Sequence, residues 1–175
     1  MNKTVLIFFI IALSFLGLNS LFTMDERQQG LVLQFGEPKR VIQTSGLHFK
    51  LPLIQNVVRY DVRILEYDLP IEEVIAVDKK RMLIDSFTRF KITDPLEFYK
   101  TVGTESSVRN RLNSNVISSL RRVVGRVTLE ELLSEERSNI MENIKVEVNN
   151  EASRFGIEVV DVRIRRADLP EANSQ

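Results

Sequence analysis

The chain has 175 residues, with 24 Lys and Arg against 24 Asp and Glu, one His and no Cys. Hydrophobic residues make up 43% and charged residues 27%, a composition that supports a folded core and argues against a disordered chain. A net charge of zero argues against nucleic-acid binding, which needs an excess of cations, and the lack of Cys excludes disulfides, thiol nucleophiles and Cys-based zinc sites.

The first element is an apolar run over residues 5–22, which contains no charge and only Ser14, Asn19 and Ser20 as polar residues. Eighteen residues in a helix extend about 27 Å, close to the hydrocarbon thickness of a bilayer. We therefore predict a membrane anchor over residues 1–23. A cleaved signal peptide is the alternative, although no A-x-A-like cleavage site is present. Lys3 before the run favours a cytoplasmic N-terminus.

Alternation of apolar and polar residues predicts strands over residues 31–35, 47–51, 57–65, 71–77 and 82–92. The clearest pattern is that of residues 57–65, where Val58, Tyr60, Val62 and Ile64 share one face. Such a pattern is typical of a half-buried, antiparallel strand.

From Asp94 the apolar period becomes helical. Asp94 can cap a helix that begins at Pro95 and stops near Gly103. A second helix carries an apolar stripe over residues 108–124, and Thr128 opens a capping box into a further helix that ends at Gly156. A last strand follows over residues 157–164. Strands followed by helices and a final strand predict an α+β fold with an antiparallel or mixed sheet and packed helices.

The search for catalytic chemistry finds little. No G-x-S-x-G elbow, S-x-x-K box, H-E-x-x-H helix or phosphate-binding loop occurs. His48 lies in an extended alternation, where a packing role is expected rather than that of a general base. A Ser-Lys dyad stays open because both residue types are abundant. We predict no catalytic residue, cofactor or metal ligand, and a membrane-tethered serine protease is the low-ranked alternative.

Two neighbouring segments carry opposite charge. Residues 106–127 contain five Arg and no acid, and residues 128–151 contain seven Glu against Arg137 and Lys145. These charges either pair within one chain or join a basic face of one subunit to an acidic face of the next, which would generate rings or filaments. The candidate subunit-contact residues are Arg109, Arg111, Arg121, Arg122, Arg126, Glu130, Glu131, Glu135 and Glu136.

Several motifs occur in a fixed order after the predicted anchor: GLVLQFG at 30–36, SGLHFKLP at 45–52, YDVR at 60–63, Asp94–Pro95 with Tyr99, LRRVVGR at 120–126 and GIEVVDVRI at 156–164, running to Leu169–Pro170. Together they resemble the SPFH/Band 7 family, which includes stomatin, prohibitin, flotillin and the bacterial HflK/HflC branch. The motifs are nearest to those of the HflC members of that branch, and the resemblance covers residues 5–170.

The resemblance implies a Band 7 domain over residues 24–170, anchored in the bacterial inner membrane and facing the periplasm. It implies a non-enzymatic scaffold that assembles with an HflK-like homologue into a hetero-oligomeric ring or cage and modulates the AAA+ protease FtsH. A stomatin-like organiser of lipid microdomains is the alternative. Family members also associate with lipids, so Leu47, Phe49, Leu51 and Leu53 are candidate membrane-proximal residues, unless they are buried in the domain core.

One departure from the family pattern concerns the C-terminal end. The resemblance implies a long charged helix or coiled coil after the Leu-Pro motif, whereas this sequence ends at Gln175 without heptads to supply one. We expect residues 171–175 to be the start of a truncated helical region, in either a fragment or a shortened family member.

Overall fold

A computed structural model describes residues 19–134 and 136–169, together with the isolated positions 5, 7, 14 and 17. Most of the predicted anchor, Glu135 and the predicted start of a helical region at 171–175 lie outside the described residues. Within the part of the chain that the structure describes, no helix is both long and apolar enough to cross a bilayer. The chain forms two compact units, Met1–Arg63 and Ile64–Gln175.

The first unit contains five described strands: β1 (Leu21–Met24), β2 (Gln28–Gln34), β3 (Glu37–Ile42), β4 (Gly46–Phe49) and β5 (Gln55–Asp61). Strand β2 lies between β3 and β5, and β1 pairs with β4; all of these pairs are antiparallel. Phe22, Met24, Val32 and Ile42 form a buried cluster against which Val57 packs. This cluster joins β1 to the face of β2.

The second unit contains strands β6 (Leu65–Asp68), β7 (Glu72–Ile75), β8 (Arg81–Ile92) and β9 (Ile157–Asp168). Its helices are α1 (Pro95–Thr101), α2 (Glu105–Val124), α3 (Leu129–Leu133) and α4 (Arg137–Ala152), followed by a short 3-10 helix at Ser153–Phe155. Strand β8 pairs antiparallel with β6 and β7 on one side and with β9 on the other. Its even-numbered side chains are buried, while α2 contacts β7 and α4 contacts β9. The helices therefore cover one face of this sheet.

The α+β prediction is confirmed, and several predicted strands lie at slightly different bounds. The strand predicted over 57–65 was wrong in its second half, because β5 ends at Asp61 and Ile64 is exposed. The Asp61 carboxylate accepts a hydrogen bond from the Arg63 backbone N–H at 2.8 Å, and this local turn ends the strand. Strands β1, β3 and β6 were not predicted. Leu21 and Phe22 read as the end of the apolar run, whereas the structure places them in β1 with Phe22 buried.

The helix starts were predicted more accurately than the helix lengths. Asp94 accepts hydrogen bonds from the backbone of Leu96 and Glu97, and Thr128 forms the predicted capping box with Glu131. The prediction of one helix from Thr128 to Gly156 was wrong, because the backbone of Ser134 is extended and separates α3 from α4. Gly156 ends the helical region in a left-handed conformation, as expected.

Candidate membrane-proximal and subunit-contact surfaces

The predicted membrane-proximal residues begin on strand β4, which pairs with β1, the strand in which the apolar run ends. Leu21 lies opposite Phe49, Thr23 lies opposite Leu47, and the Lys50 backbone N–H donates to the Ser20 carbonyl at 2.8 Å. Directly opposed residues share one face of an antiparallel pair, so Leu21 and Phe49 are neighbours on a face that is exposed. The exposed apolar residues of β4 therefore lie within a few residues of the end of the apolar run.

The turns beside β4 add further exposed apolar side chains. Leu53 is 94% exposed at φ +71°, and Phe35 is 82% exposed at φ +53° in the two-residue turn between β2 and β3. Phe35 and Leu53 line one shallow depression together with Ile54 and Lys50. The left-handed region costs a non-glycine residue on the order of 1–2 kcal/mol. Both residues bear that cost while their side chains lie in solvent.

The exposed apolar residues of the first unit on β1, on β4 and in these turns are together called here the tip surface: Leu21, Phe35, Leu47, Phe49, Leu51, Leu53 and Ile54. Two cations border it: Lys50 at the depression, and Arg40, whose guanidinium donates to the Phe49 carbonyl at 2.6 Å. Apolar side chains rimmed by cations are suited to the boundary between acyl chains and anionic headgroups. Sequence reasoning missed Phe35 because it read this residue as the end of a strand. A two-residue loop with Gly36 second was the available signal.

His48 is used for packing. Its Nε2 lies 2.8 Å from the Thr44 carbonyl, which can only accept, so Nε2 carries the proton of that hydrogen bond. The ring also lies against Phe22, with 5.8 Å between the ring centroids. Within the described ranges, no group of three or more His, Asp and Glu side chains could hold a metal ion.

The shifted pKa values belong to surface ion pairs. A hydrogen bond from the Arg63 side chain lowers the pKa of the Asp61 carboxyl, although some burial opposes it, and Asp61 in turn raises the pKa of Arg63. Burial acts to raise the pKa of Asp78, but hydrogen bonds from Lys80 outweigh it and the net shift is downward. Each shift favours the charged form. Each of these pKa values is moved away from neutral pH, where the pKa of an effective general acid or base would lie.

The basic residues of α2 are largely engaged within the chain. Arg121 pairs with Glu72 of β7 at 3.0 Å, and Arg122 pairs with Glu147 of α4 at 3.1 Å. The second pair joins the two segments of opposite charge inside one chain, which is one of the two interpretations left open by the sequence.

The other candidate contact residues lie in different surroundings. The guanidinium of Arg109 lies 5.8 Å from the Tyr67 ring centroid, and that of Arg111 lies 4.9 Å from the ring centroid of Phe155. Glu131 belongs to the capping box of α3. Arg126, Glu130 and Glu136 are exposed and have no ion pair within the described residues, whereas Glu135 lies outside them. The structure therefore brings the nine residues together only in part.

The motifs and the fold can now be compared with those of known protein families. The model of the SPFH domain / Band 7 family matches residues 22–175. The chain belongs to this family. The resemblance carried by the sequence motifs is thereby confirmed, and the Band 7 domain has the antiparallel sheets and packed helices described above.

Several relatives of this Band 7 chain are HflC proteins. Protein HflC of Haemophilus influenzae is 32% identical over 164 residues, which cover 87% of this chain and 56% of the relative. Protein HflC of Buchnera aphidicola subsp. Schizaphis graminum is 30% identical over 195 residues, covering 97% and 62%. The modulator of FtsH protease HflC of Escherichia coli K12 is 25% identical over 217 residues, covering 97% and 65%. The chain thus spans between 56% and 65% of the length of these curated relatives.

Proposed function

We propose that this chain is an HflC-like scaffold subunit that modulates an FtsH-type AAA+ protease and does not itself cleave substrate. The observation that carries the proposal is the Band 7 domain shared with relatives named HflC, one of which is named a modulator of FtsH protease. The placement of His48 in a packing contact agrees with a non-enzymatic role.

Membrane attachment is the second part of the proposal. The apolar residues before strand β1, which begins at Leu21, act as a single-pass anchor in the bacterial inner membrane, with the N-terminus in the cytoplasm and the Band 7 domain in the periplasm. The tip surface supports this arrangement, because the apolar run ends in strand β1, which pairs with β4. We propose that the tip surface contacts the outer leaflet beside the anchor.

Assembly is the third part. The chain combines with an HflK-like homologue into a hetero-oligomeric ring or cage around the protease. Among the nine candidate contact residues, Arg126, Glu130 and Glu136 have no ion pair within the described ranges, so contact with a neighbouring subunit would not require an intrachain bridge to break.

The proposed regulation is tested by purifying the tagged full chain from membranes in mild detergent. We expect an HflK-like homologue and an AAA+ protease to co-purify, and degradation of a membrane substrate by that protease to change when the chain is deleted. Lipid enrichment without the protease would instead support a lipid-microdomain organiser. Covalent capture by a serine-reactive probe would contradict a purely regulatory role.

The proposed membrane contact is tested with single tryptophans, since the chain contains none. In proteoliposomes, the full chain carrying Phe35→Trp or Leu53→Trp is expected to show blue-shifted emission and quenching by brominated lipids, because the tip surface enters the headgroup region. Leu133→Trp is the matched control, an exposed leucine in the second unit. Equal, water-like emission at all three positions would contradict the contact.

A further inference from the structure

The shallow depression on the tip surface is lined by both apolar and polar side chains. Its volume is about 350 Å³, and its apolar lining consists of Leu33, Phe35, Leu53 and Ile54. Cavities of this size are large enough for a small ligand. Most of the surface of Phe35 and Leu53 is exposed, so an apolar chain packed against them would remove from water a surface that the fold leaves uncovered.

The polar groups of the same depression include an ammonium without a counter-ion. Lys50 is partly buried, and its Nζ forms no ion pair within the described residues. Asn56 is exposed, and its side-chain amide has no hydrogen-bond partner in that part of the chain. Gln55 is engaged, because its Oε1 accepts a hydrogen bond from the Leu51 backbone N–H at 2.9 Å. The groups that are left over suit an anion, since an ammonium and an amide both donate hydrogen bonds.

The charges of the first unit are distributed unevenly along its strands. The end that carries the depression contains three cations, Lys39, Arg40 and Lys50, and one acid, Glu37, which pairs with Lys39 at 3.6 Å. The other acids among the described residues of this unit lie at the opposite end, in the turn after β1 and at the end of β5: Asp25, Glu26 and Asp61. An excess of cations beside a bilayer attracts anionic lipids.

The cationic end of the unit is also the end joined to the apolar run. The Lys50 backbone N–H donates to the Ser20 carbonyl at 2.8 Å, and Phe49 lies opposite Leu21, the first residue of β1. With the proposed anchor in the bilayer, the Lys50 ammonium is therefore close to the lipid headgroups. A lysine at such a boundary packs its aliphatic stem on apolar surface and directs its charge to the headgroups.

We infer that this depression binds one anionic phospholipid, whose phosphodiester contacts the Lys50 ammonium and the Asn56 amide while the first part of an acyl chain packs on Phe35 and Leu53. A free phosphate compound would satisfy the donors but leave the apolar lining in water, so the lipid is the better match. The inference rests on the proposed membrane contact and deepens it, because it states which class of lipid the tip surface selects.

Fluorescence quenching in proteoliposomes tests this site, because the natural chain contains no Trp. The full chain carries Phe35→Trp, and every bilayer has the same mixture of anionic phosphatidylglycerol and zwitterionic phosphatidylcholine, of which only one is brominated. We expect the anionic lipid to bind beside the tryptophan about five-fold more strongly, the factor that one cation near an anionic surface provides. Lys50→Gln should remove this preference, and Asn56→Asp, which places a carboxylate in the depression, should reverse it.

Lys39→Gln is the matched control, because it removes one cation from the same end of the unit without changing the lining of the depression. It should keep most of the preference. An equal loss in Lys39→Gln and Lys50→Gln, or equal quenching by the two lipids without either substitution, would overturn the inference. Quenching that does not depend on the headgroup would leave the proposed membrane contact standing, whereas no quenching by either lipid would contradict both.

Discussion

Leu53 and Phe35 combine a left-handed backbone with an apolar side chain in solvent, so neither conformation nor burial favours them in the folded chain. Local strain of this kind is retained in proteins where the surrounding structure over-determines it, and it concentrates at functional sites. Here the strain holds two apolar side chains at one shallow depression beside Lys50. Stability and membrane contact thus make opposite demands on these two positions.

Replacing Leu53 with Gly separates those demands. We expect Leu53→Gly to raise the free energy of unfolding by about 0.5 kcal/mol, because relief of left-handed strain exceeds the entropy that glycine adds to the unfolded chain. Lipid contact, reported by a Phe35→Trp probe in the same chain, should weaken. Leu51→Gly is the control, an exposed leucine of the same loop without a positive φ, and should destabilise in chemical denaturation. Equal losses for both variants would contradict the strain argument.

At the scale of elements, helix α4 protects the free edge of the sheet. Among the described strands, β9 pairs with β8 alone, and α4 supplies partners for groups that this pairing leaves free. Asn149 Oδ1 accepts from the Val159 backbone N–H at 2.9 Å, and the Arg137 guanidinium donates to the Ile164 carbonyl. Helix α4 therefore runs beside β9 with a side-chain contact near each end. Covered edges resist pairing with other chains.

Removing one of these contacts should open the edge locally. We expect Asn149→Ala to lower the free energy of unfolding by about 1–3 kcal/mol, because the Val159 N–H loses its partner in a partly buried setting. The amide of Val159 should then exchange hydrogen faster in a native-state exchange experiment. Asn150→Ala, at the exposed neighbouring position, should change neither quantity. An unchanged Val159 amide in Asn149→Ala would contradict this role for α4.

The elements differ in how well the sequence predicts them. Local signals located the Asp94 cap, the capping box at Thr128 and the alternation of β8, since each depends on residues a few positions apart. The end of β5 at Asp61 was hidden because the apolar alternation continues through Ile64, while a side-chain hydrogen bond bends the backbone. Of the tip surface, Leu47, Phe49, Leu51 and Leu53 were named from the sequence as membrane-proximal candidates, which stays a prediction, and the structure shows that they are exposed. Phe35 depended on a turn conformation that a strand pattern conceals.

At the scale of the whole molecule, the two units carry different kinds of surface. The first unit presents the apolar tip surface, and the second presents a sheet face of paired charges and helices whose opposite charges meet in the Arg122–Glu147 bridge. The net charge of zero therefore arises in part from basic and acidic segments that pair with each other within the same chain. The charged segments contribute to the internal packing of the second unit, whichever surfaces the neighbouring subunits use.

A charge swap tests that internal pairing. We expect Arg122→Glu to cost at most about 1 kcal/mol of unfolding free energy, because the bridge is exposed, and Arg122→Glu with Glu147→Arg to recover it. Chemical denaturation measures both. Light scattering at low salt gives the assembly size of the Arg122→Glu variant. A smaller assembly that the Glu147→Arg exchange does not restore would instead place Arg122 between subunits.

The direct passage from Ser20 into strand β1 has a mechanical consequence. Strand β1 is hydrogen-bonded to β4 from Leu21 onward, and the Lys50 N–H donates to the Ser20 carbonyl, so the end of the apolar run is itself part of the sheet. With the apolar residues before Leu21 in a bilayer, this unit would be held at a fixed distance from the lipid surface. A change in bilayer thickness would then exert force directly on β1, and among the described elements the β1–β4 pair would transmit that force to the domain.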